Sequence, residues 1–197
     1  MSTTNLKVSA IGEAEYPHLQ RPDTKFISEG EYKCNLKVKL EDATEMIADI
    51  ENALNEWHDE RCKEKNKKSL RKNLPFTVED GYAIFKFKVK ATGTNTKTNE
   101  PFNRRITIID SNKKPLNEDT RIWGGSTLKI AYGMRTWATD ALGVGIQLQP
   151  KAVQVINLVT SELNKNSSLT DLFEETNGFA QDDLDNQAII DSAKGDF

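Results

Sequence analysis

A mainly β fold of five strands with one long helix is what this chain of 197 residues predicts. Three observations carry that expectation. Strict two-residue alternation of apolar and polar side chains recurs in five stretches, helical spacing of apolar residues is sustained once, and Gly/Pro/Asn-rich segments fall between them. Residues 1–29, interrupted by Pro17 and Pro22, are expected to be irregular.

The first strand is read at 31–40, with Tyr32, Cys34, Leu36, Val38 and Leu40 inward and Lys33, Asn35, Lys37 and Lys39 outward. Met46, Ile47, Ile50, Leu54 and Trp57 then recur at helical spacing, predicting an amphipathic helix over 42–65 that runs into a basic segment at 61–72. Alternation resumes at 82–90, with Phe85, Phe87 and Val89 inward and Lys86, Lys88 and Lys90 outward. A polar loop at 92–103 leads to 104–110, where Ile106 and Ile108 face in and Arg105 and Thr107 face out, so these two strands are expected to form a hairpin. The fourth strand, near 127–137, sets Leu128, Ile130, Tyr132 and Met134 against Lys129, Arg135 and Trp137; the last covers 143–149 and 152–159, bent near Pro150. Such a small sheet must close or curl to hide its apolar face.

Charge divides the chain. Through Ser161 there are 25 Lys/Arg against 21 Asp/Glu, and from Glu162 onward 2 against 9. The expected organisation is a folded body over 1–163 and an acidic, disordered tail over 164–197, with a short helix conceivable at 169–175 capped by Ser168. Such a tail reads either as a solvated terminus or as a stand-in for a polyanion.

Several classes lose support. The chain has no 20-residue apolar run and no basic-then-apolar start, so neither a membrane span nor export is expected. Cys34 and Cys62 form no disulfide framework, which fits a reducing setting. Neither zinc nor another metal or cofactor is expected: His58 and Cys62, four apart, are two ligands at most, and a solvated helix face accounts for them. His18 reads as a surface residue. Gly143-Val144-Gly145 lacks the rest of a phosphate-binding fingerprint and reads as close backbone approach. Glu79, Asp80 and Asp110 would form a nuclease-type metal pair only if the fold joined them, and two histidines assemble no nucleophilic triad.

What remains is the outward set of strand residues: Lys33, Lys37, Lys39, Lys86, Lys88, Lys90, Arg105, Lys129 and Arg135, with no acid among those positions. Like charges on neighbouring strands repel, so a face of one sign is unnecessary for solubility and suits a polyanion. Single-stranded nucleic acid needs cations for phosphates and flat rings for unpaired bases. Trp137 has the outward parity and supplies the ring; Trp123 and Phe102 read as rim aromatics over a barrel end, and Tyr132, Phe85 and Phe87 as core.

The order of short motifs resembles the gene-2.5-type single-stranded DNA-binding protein family of T-seven-like bacteriophages. The motifs are Ala10 to Tyr16 with Pro22-Asp23, FKFK (85–88), Thr96 to Glu100, I-D-S-x-K-K (109–114), GGSTLKIAY (124–132), GVGIQLQPKAVQVINL (143–158) and the terminal G-D-F. The resemblance implies a five-stranded oligonucleotide-binding (OB) barrel, with the helix between strands 1 and 2, that coats single-stranded DNA in phage replication, recombination, repair and strand annealing inside the infected bacterial host. It implies no enzyme. By motif, Lys86, Lys88 and Trp137 carry over as DNA contacts and Phe197 as a terminal aromatic. The tail residues Asp182, Asp183, Asp185, Asp196 and Phe197 would occupy the groove, favour a homodimer, and contact a replicative polymerase and a helicase/primase. Two departures stand out: the tail is interrupted by Ala188, Ile189, Ile190 and Lys194, and the basic 61–72 segment matches no family motif, reading as an arm on DNA or a solvated helix end. Against this stand two rivals, a metal-dependent nuclease using Asp110 with Glu79 or Asp80, and a protein-interaction module whose basic face is incidental.

Overall fold

The structure is a computed structural model that describes residues 6–160, apart from Lys67, Thr96, Lys97 and Glu118. The acidic segment 164–197, its expected helix at 169–175 and the residues Asp182, Asp183, Asp185, Asp196 and Phe197 lie outside the described residues. Along the chain run β1 (Lys7–Val8), β2 (Gly12–Asp23), β3 (Glu31–Lys39), α1 (Leu40–Glu64), β4 (Lys72–Asn73), β5 (Phe76–Glu79), β6 (Tyr82–Lys90), β7 (Thr92–Thr94), β8 (Pro101–Asn103), β9 (Thr107–Ile109), β10 (Thr127–Thr139) and β11 (Gly143–Asn157). No helix among the described residues is long and apolar enough to cross a membrane.

The five long strands close on themselves. β2 pairs with β3, β3 with β6, β6 with β11, β11 with β10, and β10 returns to β2 through Thr127–Glu13 and Leu128–Gly12. That ring is a barrel, as an oligonucleotide-binding fold requires. Its interior is the alternating inward set: Leu36, Phe85, Phe87, Leu128, Ile130, Tyr132 and Leu148 are almost wholly buried. Phe87 meets Tyr132 edge-on at 5.4 Å, the geometry that aromatic quadrupoles favour. Helix α1 closes the barrel with Ala43, Met46, Ile50, Leu54 and His58, buried one turn apart along one face.

Two expectations need correcting. Within the first 29 residues, expected to be irregular, Gly12–Asp23 form a twelve-residue strand, β2. It absorbs its prolines at irregularities: Tyr16 takes a φ of 49°, and the register with β3 shifts between Glu15 and His18 and again between His18 and Asp23, places where a missing N–H costs no ladder bond. The helix therefore follows the second strand of the ring, not the first. Nor do 82–90 and 104–110 form a hairpin. β6 pairs with β5 on a tight turn at Asp80-Gly81, β7 and β8 make their own small ribbon, and β9 runs parallel to β11.

Strand β11 organises the site. One edge is taken by β10 along its length; the other is shared in turn by β4 at Val144–Gly145, β6 at Leu148 and β9 at Ala152–Gln154, all parallel to it. Residues far apart in sequence thus stand in adjacent rows.

Candidate nucleic-acid interface

On the outer face of β10, β11 and β6 lies an open groove of about 1200 Å³. Its walls carry Lys86, Lys88, Lys90, Arg104 and Arg135 together with Trp137, Gln147, Gln149 and Asn73. Register explains the assembly. Arg135 faces Gln147 and Trp137 faces Gly145 across β10 and β11, while the pairing of Phe87 with Leu148 brings the flanking Lys86 and Lys88 alongside Gln147 and Gln149. Two-residue alternation then puts all of these side chains on one face.

Trp137 is held in place. A Cβ built on Gly145 would overlap the indole at Cζ2 and Cε2 and sit 2.8 Å from Nε1, so the ring lies flat on a residue that must be glycine. Trp57 Nε1 donates to the Trp137 carbonyl at 3.1 Å, tying this end of β10 to α1. The expected close approach at Gly143 is also present: its φ is +85°, and a Cβ there would meet the Arg71 backbone.

Five of the predicted residues meet in the groove: Lys86, Lys88, Lys90, Arg135 and Trp137. The other five do not. Lys39, at the end of β3, lies 4.0 Å from the Glu41 carboxylate. Lys33 lies opposite Lys88 but its ammonium is 2.5 Å from Asp23, an ion pair that holds the Asp23 carboxyl below its ordinary pKa. Lys37 sits over the Tyr82 ring at 4.6 Å. Lys129 lies six residues from Arg135, about 20 Å along β10 and beyond the bulge between Ala131 and Tyr132. Arg105 faces a separate hollow with Arg21, Tyr32 and Leu116. The outward face is not free of acids either, since β2 sets Glu13 opposite Lys37 and Glu15 opposite Asn35, and Glu29 and Glu31 line the Lys90 end of the groove.

Arg104 replaces Arg105. Its Nη1 donates to the carbonyls of Lys90, at 3.0 Å, and Thr92, and its guanidinium covers the Phe102 ring at 4.9 Å. Phe102 is itself 43% exposed rather than tucked under a rim. Lys151 stands close enough to Arg104 for the two charges to interact, and burial together with that cation lowers its pKa. The sequence signal was the Arg104-Arg105 pair, which strand parity alone resolves the wrong way.

The remaining candidates take structural roles. His58 is buried, not on a solvated face: Nε2 accepts the Leu70 N–H at 3.2 Å, so Nδ1 carries the proton shared with Asp59 at 2.9 Å. That bond, with the Lys72–Asn55 contact at 2.6 Å and the Lys65–Asp140 ion pair, fixes the basic segment that ends α1. Asp110 Oδ1 accepts the N–H groups of Asn112 and Lys114, each at 2.8 Å, and so holds its own turn. Among the described residues no cluster of three or more His, Cys, Asp or Glu side chains is placed to hold a metal.

The family model described as single-stranded DNA-binding protein of bacteriophage T7 matches residues 11–158. The chain belongs to that family. The single-stranded DNA-binding protein of Escherichia phage T7 is 29% identical over 176 residues, covering 77% of this chain and 75% of that one. The crystal structure of gp2.5, a single-stranded DNA binding protein encoded by bacteriophage T7, superposes with a TM-score of 0.73 at 26% identity, over 89% of this chain and 98% of that one. The bacteriophage Enc34 single-stranded DNA-binding protein in complex with ssDNA shares the fold at a TM-score of 0.52 and 13% identity, over 80% of this chain and 89% of the other.

Proposed function

We propose that this member of the T7 single-stranded DNA-binding family holds DNA in the β6/β10/β11 groove, in the interior of the infected cell. Lys86, Lys88, Lys90, Arg104 and Arg135 take the phosphates and Trp137 takes an unpaired base. The observation that carries this reading is the gathering of five cations from three separated stretches of sequence around one indole. Every base offers a ring face, so sequence preference is weak. A duplex offers no unpaired base for the indole. The 164–197 segment, rich in acid and ending in Phe197, acts on this reading as a competitor for the groove and as the handle for a replicative polymerase, a helicase/primase and a second copy of the chain.

The test is a salt series on the full chain and on one ending at residue 163. With about 0.7 counterions released per phosphate neutralised on a single strand, five contacts give a log-log slope near −3.5. Replacing both Lys86 and Lys88 by alanine flattens it by about 1.4 and weakens all sequences alike. Loss of the tail tightens binding, most at low salt. A slope near zero removes the groove from the mechanism, and an unchanged affinity without residues 164–197 removes the competition.

A further inference from the structure

We infer that Asn73 is a base-reading residue beside the indole, and that it favours cytosine and adenine over thymine. The inference rests on the groove binding single-stranded DNA and concerns which edge of the stacked base is read.

The placement follows from the register. Gly145 is paired with Trp137 on one side and with Asn73 on the other, so the three form a single row across β10, β11 and β4. Neighbouring strands are about 4.8 Å apart, which puts Trp137 and Asn73 about 10 Å apart at their backbones. The indole already lies across Gly145, so a base stacked on it has its edge against the next strand, where Asn73 lines the groove.

The polarity of that side chain is set. Asn73 Nδ2 donates to the Leu142 carbonyl at 2.7 Å and to the Val144 carbonyl at 3.0 Å. Turning the amide over would press Oδ1 against two carbonyl oxygens, so the orientation is fixed. Both amide hydrogens are spent on the protein, and the polar atom left to offer is Oδ1, an acceptor. Cytosine at C4 and adenine at C6 present an N–H₂ donor where thymine presents its C4 carbonyl and guanine its C6 carbonyl. With thymine at that position Oδ1 meets O4, two acceptors with no proton between them, and the neighbouring N3–H is reached only if the base slides along the indole away from the cytosine placement. Lys86, Lys88 and Arg135 are taken by phosphates, Gln147 donates to the Lys88 carbonyl at 3.1 Å, and the Glu29 and Glu31 carboxylates stand at the Lys90 end, Glu29 within 3.6 Å of the Lys90 ammonium.

The experiment compares two oligonucleotides of equal length on the full chain, one of thymidine and one of 5-methyl-2′-deoxycytidine. They share the ring, the methyl group and the backbone and differ in the C4 substituent and the N3 proton. The expected result is tighter binding of the 5-methylcytosine strand by about three- to tenfold, with the ratio falling to one in Asn73→Ala. Equal affinities in the unaltered protein overturn the inference, as does a ratio that survives Asn73→Ala. Should that variant fail to fold, the N4,N4-dimethyl analogue of 5-methylcytosine, which lacks the donor, must bind the unaltered protein as thymine does; a retained advantage sinks the proposal. Absence of binding to both strands strikes the DNA-binding reading itself and is a different outcome.

Discussion

Replacing Gly145 by valine evicts the indole without touching a cation. The residue has an ordinary strand conformation, and a branched side chain is at home in one. Its difficulty is space: even a single Cβ overlaps two indole atoms and sits 2.8 Å from a third, where carbon contacts settle at about 3.5–4.0 Å. Two more methyl groups occupy the volume of the ring, which must swing off the groove floor. The bond from Trp57 goes to the Trp137 main chain, so it survives and the strand stays in place. Base stacking is worth about 1–3 kcal/mol, so affinity drops by about fivefold to 150-fold, the same loss as in Trp137→Ala. Because both changes remove one interaction, the double variant is no worse than either single one. Anisotropy titration of a labelled oligonucleotide at fixed salt reads this directly, with circular dichroism reporting the fold. Wild-type affinity in Gly145→Val, or losses that add in the double variant, would refute the stacking role.

Two further predictions concern groups whose ionisation the fold perturbs. The Lys33 ammonium, with a smaller contribution from the Lys25 N–H, lowers the Asp23 pKa from 3.8, so the folded state favours the carboxylate. This stabilisation is present above pH 3.8 and is lost as pH falls through the lowered value; in Asp23→Asn, acid unfolding curves lose that component, and an unchanged pH profile would show the ion pair to be idle. Burial raises the Cys34 thiol to about 12, while Cys62 is only half-buried. Native protein in mildly alkaline buffer therefore alkylates at Cys62 alone and at both cysteines in denaturant, as peptide mass mapping will report.

The barrel strands β3, β6, β10 and β11 were legible because half-burial imprints a period of two on the sequence itself, and α1 because one buried stripe imprints 3.6. β2 was not, since its prolines sit at register shifts that only the pairing with β3 reveals. Among the residues that line the groove, Lys86, Lys88, Lys90, Arg135 and Trp137 followed from parity within single strands. Lys33 and Lys37 had the right parity and the wrong neighbours, Asp23 and Tyr82. Arg105 failed because the segment before β9 is not continuous with β6, leaving Arg104 to turn into the groove. Asn73 carried no local signal at all, for its meaning comes from a two-residue strand pairing with β11.

The sequence by itself determined which side chains alternate and therefore which could leave the core, because that is settled by geometry within a few consecutive residues. Only the tertiary structure decided which of them meet. That Lys86, Arg135, Trp137 and Asn73 line one groove depends on register across β6, β10, β11 and β4, and register is fixed by long-range pairing and by the bulge between Ala131 and Tyr132, where each one-residue shift reverses the face that a side chain serves.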